Sequence, residues 1–401
     1  MKKIIATSVL FTLSSAALAL QLPVTNEHKP NAHTMACLEA PTRDCAFTAA
    51  LQTVINEEFG IERAKVLIGI ARSMIATGQN KQAIQTLVLA LDEARSVNLS
   101  LVTREKITEI APLLARAGDT AGALALVEEL ERPVLKDRVL FEIASEAGST
   151  GAIADARVTL AQTQNQTRAF WRELRILAHS SKKILASVKM EELLEKVRTA
   201  DRVELQYGGL IQLAIIADRL GLPGERNALI TEADELFLSV ISIHQRAAST
   251  ADRARNMFEA GMAPVFIDES YALAMKHGKR LRGNEVQSSF ADKVGVIEAA
   301  SGSLELALSR LDVFVDVAAK AKYLSQLRAS RDQSLLTAEI KEILKQVTEI
   351  EGAYDRDLVR LTLLDGAIAN EDAFLAQVIV VAVEDDDNQA YGLALMAPLL
   401  E

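Results

Sequence analysis

One spacing of small residues recurs along the chain, and it constrains the fold more than any other feature of the sequence. An apolar residue and an alanine are followed by a glycine seven residues after the alanine, and by a second alanine five residues later. The three clearest copies are Ile70-Ala71 with Gly78 and Ala83, Ile110-Ala111 with Gly118 and Ala123, and Ile143-Ala144 with Gly151 and Ala156. Repetition at such a period is typical of arrays of small structural units.

Looser copies extend the pattern toward the C-terminus. They include Ala214 with Gly221, Ala254 with Gly261, and Gly295 with Gly302 and Ala307. At Leu177-Ala178 the glycine position holds Leu185, and weak copies begin near Leu327-Ala329 and Leu363-Gly366. The anchor positions follow one another at intervals of about 33 to 41 residues.

Helix geometry explains the spacing. The first alanine fits the middle of a helix, where a small side chain lets a partner helix cross closely. Seven residues are about two turns, so the glycine falls just past the helix end, where it can adopt a left-handed conformation. A polar residue such as Asp119 follows Gly118 and can cap the next helix. Each unit is therefore predicted to be a helix, a short turn and a returning helix.

A single helix pair cannot bury its apolar face, so neighbouring pairs must stack. On its Gly-polar turns and its small residue on each helix, as in Ala111, Gly118-Asp119 and Ala123, the sequence resembles the tetratricopeptide-like (TPR-like) helical repeats. The resemblance covers about residues 63–310 and is weaker beyond. It implies an all-α solenoid, or superhelix of antiparallel helix pairs, that binds protein segments on its concave face. We expect residues 45–401 to form this helical-repeat domain.

Composition agrees with this expectation. Apolar residues make up 49% of the 401 residues, which is enough material for an extensive core, whereas aromatic residues make up only 4%. The formal net charge is −10, and such an acidic surface disfavours non-specific binding of nucleic acid.

The N-terminus has the pattern of an export signal. Lys2 and Lys3 precede an uncharged segment from Ile4 to Leu20, and Ala17-Leu18-Ala19 supplies small residues for cleavage after Ala19. We therefore expect residues 1–19 to be a signal peptide and the mature chain to be periplasmic or secreted, with no integral membrane span. An uncleaved membrane anchor is the alternative.

Residues 20–44 are predicted to be an extended leader. Two cysteines at its end, Cys37 and Cys45, are expected to form a disulfide in an oxidising compartment. Two other readings are that Cys37 is a lipid-modified cysteine, or that His28, His33, Cys37 and Cys45 bind zinc or copper. The irregular spacing of these four residues matches no structural zinc pattern.

Arginine recurs near the starts of the predicted first helices, at Arg63, Arg104, Arg138 and Arg172. One interpretation is a ladder that binds carboxylates of a partner. The other is a set of ion pairs with the neighbouring acids Glu62, Glu105, Asp137 and Glu173.

No catalytic or cofactor motif is evident, and we predict no cofactor and no metal ion. His179 lies beside serines, but neighbours in a helix point apart, which disfavours a nucleophile–base pair. The acidic run Glu384–Asn388 is read as a solvated helix junction rather than a calcium loop, because it lacks the turn glycine. Tyr207-Gly208-Gly209 indicates a bend or a close approach of a ligand. Phe170 and Trp171 either contact a partner or fill a gap in the core.

These observations predict a non-catalytic, exported scaffold that binds an unidentified protein or peptide. Two alternatives stay open: an envelope (cell-wall) enzyme or its accessory domain, and a small-molecule binder inside a helical ring. A deep apolar pocket holding polar groups would favour the last reading.

Overall fold

A computed structural model describes residues 32–57, 60–239, 242–330 and 333–400. The described chain consists of α-helices and two short 3-10 helices (Ser309–Val313 and Ala397–Leu399), without a strand. The α-helices are α1 (Ala32–Glu39), α2 (Arg43–Asn56), α3 (Gly60–Ala76), α4 (Asn80–Ser96), α5 (Ser100–Arg116), α6 (Thr120–Glu128), α7 (Pro133–Ser149), α8 (Ile153–Ala161), α9 (Gln166–Ala178), α10 (Lys182–Leu185), α11 (Met190–Arg198), α12 (Val203–Leu220), α13 (Pro223–Phe237), α14 (Ile243–Glu259), α15 (Pro264–Gly278), α16 (Asn284–Ala300), α17 (Leu304–Leu308), α18 (Val317–Gln326), α19 (Gln333–Val347), α20 (Ala353–Ala369), α21 (Ala373–Ala382) and α22 (Asp386–Met396).

The helices form the antiparallel pairs that the repeat predicts. First helices such as α3, α5 and α7 each pack against the second helix that follows. The anchor alanines Ala71, Ala111 and Ala144 are fully buried where the helices cross. The degenerate copy differs, because α9 is followed by the short α10 and by α11, which both pack against α12. The all-α repeat architecture expected from the sequence is confirmed.

The array closes into a ring. Each first helix contacts the next one, in the order α3, α5, α7, α9, α12, α14, α16, α18, α20 and α22, and α22 then packs against α3. Among the second helices of the described chain, only α17 and α19 pack closely with one another. The first helices therefore form the inner wall of the ring and the second helices its outer layer.

Both ends of the chain contribute to the closing unit. Helix α22 packs against α2 as well as α3, so α2 serves as its second helix. Small and branched side chains from α2, α3 and α22 form a shared core: Ala50, Val66, Ile70, Ala390 and Ala394. The Arg72 guanidinium donates to the Tyr391 hydroxyl at 2.8 Å, and the Lys65 ammonium donates to the Asn388 amide oxygen. We refer to this contact of α22 with α2 and α3 as the seam.

The structure corrects the predicted leader. Residues 32–39 form α1 and α2 begins at Arg43, so this part of residues 20–44 is helical and belongs to the array. A disulfide joins Cys37 of α1 to Cys45 of α2, with Cα atoms 5.6 Å apart. With both sulfurs bonded to each other, neither cysteine is available for the alternative metal site. The predicted signal peptide, residues 20–31 and His28 lie outside the described residues.

Gly118 closes α5 as the repeat predicts. Its φ is +96°, the Asp119 backbone N–H donates to the Leu114 carbonyl oxygen at 2.8 Å, and the Asp119 carboxylate caps α6 by accepting from Gly122. The other repeat glycines also have positive φ: Gly78, Gly151, Gly221, Gly261 and Gly302. At Gln79, by contrast, no side-chain cap forms. In the last full unit Glu371 replaces the glycine at φ +56°.

A matched pair of glycines tests this turn. A Cβ added at Gly118 or at Gly208, inside α12, meets no atom within 4 Å, so only the backbone conformation differs. We expect Gly118→Ala to lower the free energy of unfolding by about 1–2 kcal/mol, because an L residue resists positive φ. Gly208→Ala should raise it by about 0.5–1 kcal/mol through helix propensity. Urea unfolding measures both, and equal effects would contradict the proposed turn.

The pH dependence of stability tests the seam. Asp387 of α22 is half-buried, and Glu57, Asp385 and Glu62 lie near it. Burial, and after it the negative charges of these acids, raise the pKa of Asp387 to about 7, although Lys65 lowers it in part. The folded chain therefore keeps this proton until about pH 7, whereas the unfolded chain releases it near 3.8. The stabilising effect of the bound proton is complete below the unfolded pKa and disappears as pH rises through the folded pKa.

We expect Asp387→Asn, which cannot ionise, to be more stable than the wild type at pH 8 by about 1–2 kcal/mol, after allowing for solvent screening. The two proteins should converge as the pH is lowered to 4. Thermal or urea unfolding over this range measures the difference. Asp355→Asn, at an exposed position, is the control and should not reproduce it. A difference that stays constant with pH would contradict the assignment to Asp387.

Candidate functional site: the inner face of the ring

The inner face of the ring is lined by charged side chains that reach between units. Arg175 of α9 forms an ion pair of 3.5 Å with Glu259 of α14, although α12 lies between these helices. Side chains that bridge over an intervening helix must lie on the concave side, where neighbouring helices converge. The residue after the buried anchor reaches the next first helix at Arg72, which donates to Tyr391, and at Arg255, which donates to the Asp292 carbonyl oxygen. After Ala214 the equivalent residue, Ile215, is instead fully buried.

A basic sector occupies the inner face at α9, α12 and α14. Helix α9 carries Arg168, Arg172 and Arg175 at spacings of four and three residues, which places them on one helix face. Arg219 of α12 donates to the backbone carbonyls of Ser180 and Ala260 at the ends of the adjacent first helices. Five arginines thus share the inner face of a chain whose net charge is −10: Arg168, Arg172, Arg175, Arg219 and Arg255.

Arg172 is the member of this sector that has no hydrogen bond, ion pair or ring contact within the described residues, whereas Arg168 and Arg219 lack an acidic partner but have other contacts. Burial lowers the pKa of its guanidinium, and the like charges of Arg175 and Arg168 lower it further, with Glu142 opposing them. Within the described residues Arg172 has no ion pair. Arg168 lies over the Phe141 ring at 4.7 Å, and Arg175 is bonded to Glu259. Arg172 is therefore the guanidinium best placed to receive a carboxylate from outside the chain.

The opposite side of the ring is electrostatically balanced. The pKa of Arg72 is raised by Tyr391 and also by Asp365, against the effect of burial. Burial raises the pKa of Asp365, while Arg72 and Arg328 oppose this shift. These groups neutralise one another across α22, so this sector offers a weaker site for an external charge than α9 does.

His179 ends α9 at the edge of the basic sector. Burial lowers the pKa of its imidazole, with a partial opposing effect from Glu259. The Ser180 hydroxyl donates to the Ile176 carbonyl oxygen, so it does not point toward the imidazole as a nucleophile would. Ser180 and His179 therefore do not form a nucleophile–base pair.

Two of the recurring arginines, Arg63 and Arg138, form salt bridges as one interpretation predicts, but with acids other than those beside them in sequence. Arg63 binds Glu93 of α4 at 2.6 Å, Arg138 approaches Glu142 at 3.4 Å, and Arg104 donates to the Ser100 carbonyl oxygen. Successive residues in a helix point apart, so the partners lie one turn away or on a neighbouring helix.

Phe170 and Trp171 lie half-buried on α9, with ring centroids 5.0 Å apart in an edge-to-face arrangement. Both pack against the core around α12, where Gly209 leaves room for the Trp171 ring: a Cβ there would lie 2.6 Å from it. Tyr207-Gly208-Gly209 thus lies inside one uninterrupted helix and serves packing. A partner contact of Phe170 and Trp171 stays a prediction.

The acidic run Glu384–Asn388 is the junction of α21 and α22, but it is not simply solvated as predicted. Glu384 bonds to Arg356 and Arg360, which lower its pKa to about 2, Asp385 caps α22, and Asn388 is buried.

Groups of three or more potential metal ligands are absent from the part of the chain that the structure describes. Similarly, none of the described helices has the length and apolar character needed to cross a membrane.

A depression of about 380 Å³ lies between α11, α12 and α13, away from the basic sector. Its lining includes the ion pair of Arg198 with Glu232, together with Gln206 and Leu236. It therefore lacks the deep apolar character that would favour a small-molecule binder.

Comparisons with known proteins add little to this description. No family model matches the chain, and no curated protein matches it. Among solved structures the chain is similar to a protein described as "Circular tandem repeat protein with novel repeat topology and enhanced subunit contact surfaces", with 13% identity, a TM-score of 0.19, and coverage of 88% of this chain and 87% of that one. This TM-score is too low to establish a common fold, and the closure of the ring rests on the contacts of α22.

Proposed function

We propose that this chain is an exported, non-catalytic scaffold whose inner face binds an acidic segment of another protein. The observation that carries the proposal is the unpaired guanidinium of Arg172, flanked by Arg168 and Arg175 on one helix face. A planar guanidinium can bind a carboxylate through two parallel hydrogen bonds. Three of them along α9 match a segment with several carboxylates.

The chemistry of the sector favours binding over catalysis. Guanidinium groups stay protonated at physiological pH and cannot exchange protons with a substrate. A helical-repeat array also suits recognition, because it presents a long continuous surface built from equivalent positions. Export is supported by the signal-like N-terminus and by the Cys37–Cys45 disulfide, since such bonds persist in oxidising compartments.

A defined probe tests the binding site. A fluorescein-labelled oligoglutamate peptide should bind the mature protein in an anisotropy titration, and an oligolysine peptide should not. The variant Arg168→Glu with Arg172→Glu should weaken oligoglutamate binding by about tenfold or more, because attraction becomes repulsion. The matched control is Lys81→Glu with Lys183→Glu, which reverses the same number of charges on the second helices α4 and α10.

Affinity capture from envelope extract then identifies the natural partner. Proteins captured by the wild type and by the Lys81/Lys183 control, but not by the Arg168/Arg172 variant, would be ligands of the inner face. Equal binding of oligoglutamate by all three proteins, or the same captured proteins with each, would refute the proposal.

A further inference from the structure

The most exposed apolar side chains of the described chain lie on one rim of the ring. Six large apolar residues are at least 69% exposed. All six lie where a second helix ends or the next first helix begins, and these junctions share one side of the ring: Ile55, Leu101, Val134, Leu238, Val315 and Tyr354. We call this side the apolar rim.

Two loops of the apolar rim have the same shape and opposite charge. Arg280-Leu281-Arg282-Gly283 precedes α16, and Glu349-Ile350-Glu351-Gly352 precedes α20. The glycine that caps each helix has nearly the same conformation, with φ +89° and ψ 133° at Gly283 and φ +91° and ψ 123° at Gly352. In both loops the apolar residue faces inward, since Leu281 is buried and Ile350 packs against the core. The charged residues on either side are exposed.

The charges of these two loops are unsatisfied within the described residues. Arg282 donates to the backbone carbonyls of Lys279 and Leu281, and it forms no ion pair there. Arg280, Glu349 and Glu351 likewise have no oppositely charged partner in the described chain. Many other arginines are paired, for example Arg356 with Glu384. The two loops therefore carry free charges of opposite sign on the same rim.

The loop before α18 lies between them in the order of the first helices, since α18 follows α16 and precedes α20 around the ring. Val315 in this loop therefore lies between the basic loop and the acidic loop on the rim. Val315 is 75% exposed, and Tyr354, beside the acidic loop, is 70% exposed. Along this arc the basic loop is followed by the exposed Val315, with the exposed Asp312 and Asp316 in the same connection between α17 and α18, and then by the acidic loop.

We propose that a second copy of this chain docks on this arc, with the two-fold axis of the dimer passing near Val315. A two-fold axis at the centre of the arc places the basic loop of each copy against the acidic loop of its partner. The exposed Val315 of each copy then lies near its own equivalent. An interface in which residue i contacts residue j and j contacts i is what two-fold symmetry requires. The dimer interface goes beyond the inner-face binding proposed above and does not depend on it.

The same observations argue against other occupants. An anionic bilayer would attract the basic loop but repel Glu349, Glu351 and Asp355 next to Tyr354. A single acidic or basic peptide would likewise match only one of the two loops. A second copy matches both loops at once.

Charge reversal in the two loops provides the test. The mass of the mature protein is measured by sedimentation equilibrium, and the wild type should be a dimer that weakens with added salt. Variant A, Arg280→Glu with Arg282→Glu, makes both loops acidic, and variant B, Glu349→Arg with Glu351→Arg, makes both basic. Each alone should lose more than about 100-fold in self-affinity, because like charges then face each other across the interface.

A mixture of variants A and B tests whether the two loops contact each other across the interface. Variants A and B together should form a heterodimer, since every contact is again between opposite charges. A chain that carries all four substitutions should recover the homodimer. Circular dichroism checks that each variant is folded. If variant A or variant B does not fold, the chain with all four substitutions still tests the proposal, because it should form a homodimer. A wild type that is monomeric at all concentrations, or A and B that fail to associate, would overturn the proposal.

A second variant tests the position of Val315 near the two-fold axis. Val315→Asp adds two carboxylates to those of Asp316 near the two-fold axis and should weaken the dimer by about tenfold or more. Val265→Asp, a 54% exposed position at the start of α15 on the opposite rim, should leave the dimer unchanged. Sedimentation of the wild type with anionic vesicles tests whether this rim binds a membrane instead. If the wild type were monomeric and bound the vesicles, and if Val315→Asp abolished that binding, a membrane contact would replace the proposed dimer.

Discussion

Gly69→Leu is expected to open the ring. A Cβ built on Gly69 of α3 would lie 2.6 Å from the Cδ2 atom and 2.9 Å from the Cε2 atom of the Tyr391 ring, closer than real Cβ atoms approach. Helix α3 packs against α4, and α22 packs against α20 and α21, so neither helix can shift freely to relieve the collision. We therefore expect the contact between α3 and α22 to be the one that separates. We expect the free energy of unfolding to fall by about 3 kcal/mol.

Small-angle scattering measures the opening as an increase in the radius of gyration. Hydrogen exchange should accelerate first in α2, α3 and α22, since these helices meet at the seam. Gly208→Leu is the control, because a Cβ there meets no neighbour within 4 Å. Adding Tyr391→Ala to Gly69→Leu removes the colliding ring and should restore part of the stability. An unchanged scattering curve for Gly69→Leu would show that the seam is not as the structure places it.

Asp357→Ala is expected to have a comparable or larger effect, about 3–5 kcal/mol. The Asp357 carboxylate is fully buried and accepts hydrogen bonds from Arg360, from the backbone N–H groups of Glu384 and Asp385, and from the Asn388 amide. It thereby fixes the start of α22 against α20. Removing it leaves two backbone donors without their acceptor and removes one of the two acids that bind Arg360.

Urea unfolding of the variant gives this loss directly. Asp355→Ala, two residues earlier on the exposed side of α20, should stay within about 0.5 kcal/mol of the wild type. If both substitutions had the same small effect, the buried network would not hold α22 in place.

The sequence predicted the parts of the fold that depend on local spacing. Gly118 and the buried Ala111 lie seven residues apart, and both follow from the geometry of one helix end. The start of the array was predicted less well, because the sequence around Ala32–Glu39 has few of the apolar repeats that identify a helix. The helix there is coupled to α2 by a disulfide, a contact outside its own sequence pattern.

Contacts between residues far apart in the sequence could not be predicted from local patterns. Arg72 and Tyr391 are 319 residues apart, and nothing in either segment alone indicates that they meet. Closure of the ring therefore had to come from the structure. Of the inner-face site, the arginine spacing on α9 was readable from the sequence, since Arg168, Arg172 and Arg175 repeat with helical periodicity. That Arg175 reaches Glu259 and Arg168 reaches Phe141, while Arg172 has no such contact, depends on side chains from other helices.

The closing unit, made of α2 and α22, changes what this chain requires during biosynthesis. Open helical arrays protect their ends with terminal repeats that have a polar outer face. A ring has no terminal repeats, so the apolar sides of α2 and α3 are covered only after α22 has been synthesised and has packed against them. A product truncated before Asp386 would expose Val66 and Ile70, which the complete chain buries. Such incomplete chains would be recognisable to proteases, so closure itself distinguishes finished molecules from unfinished ones.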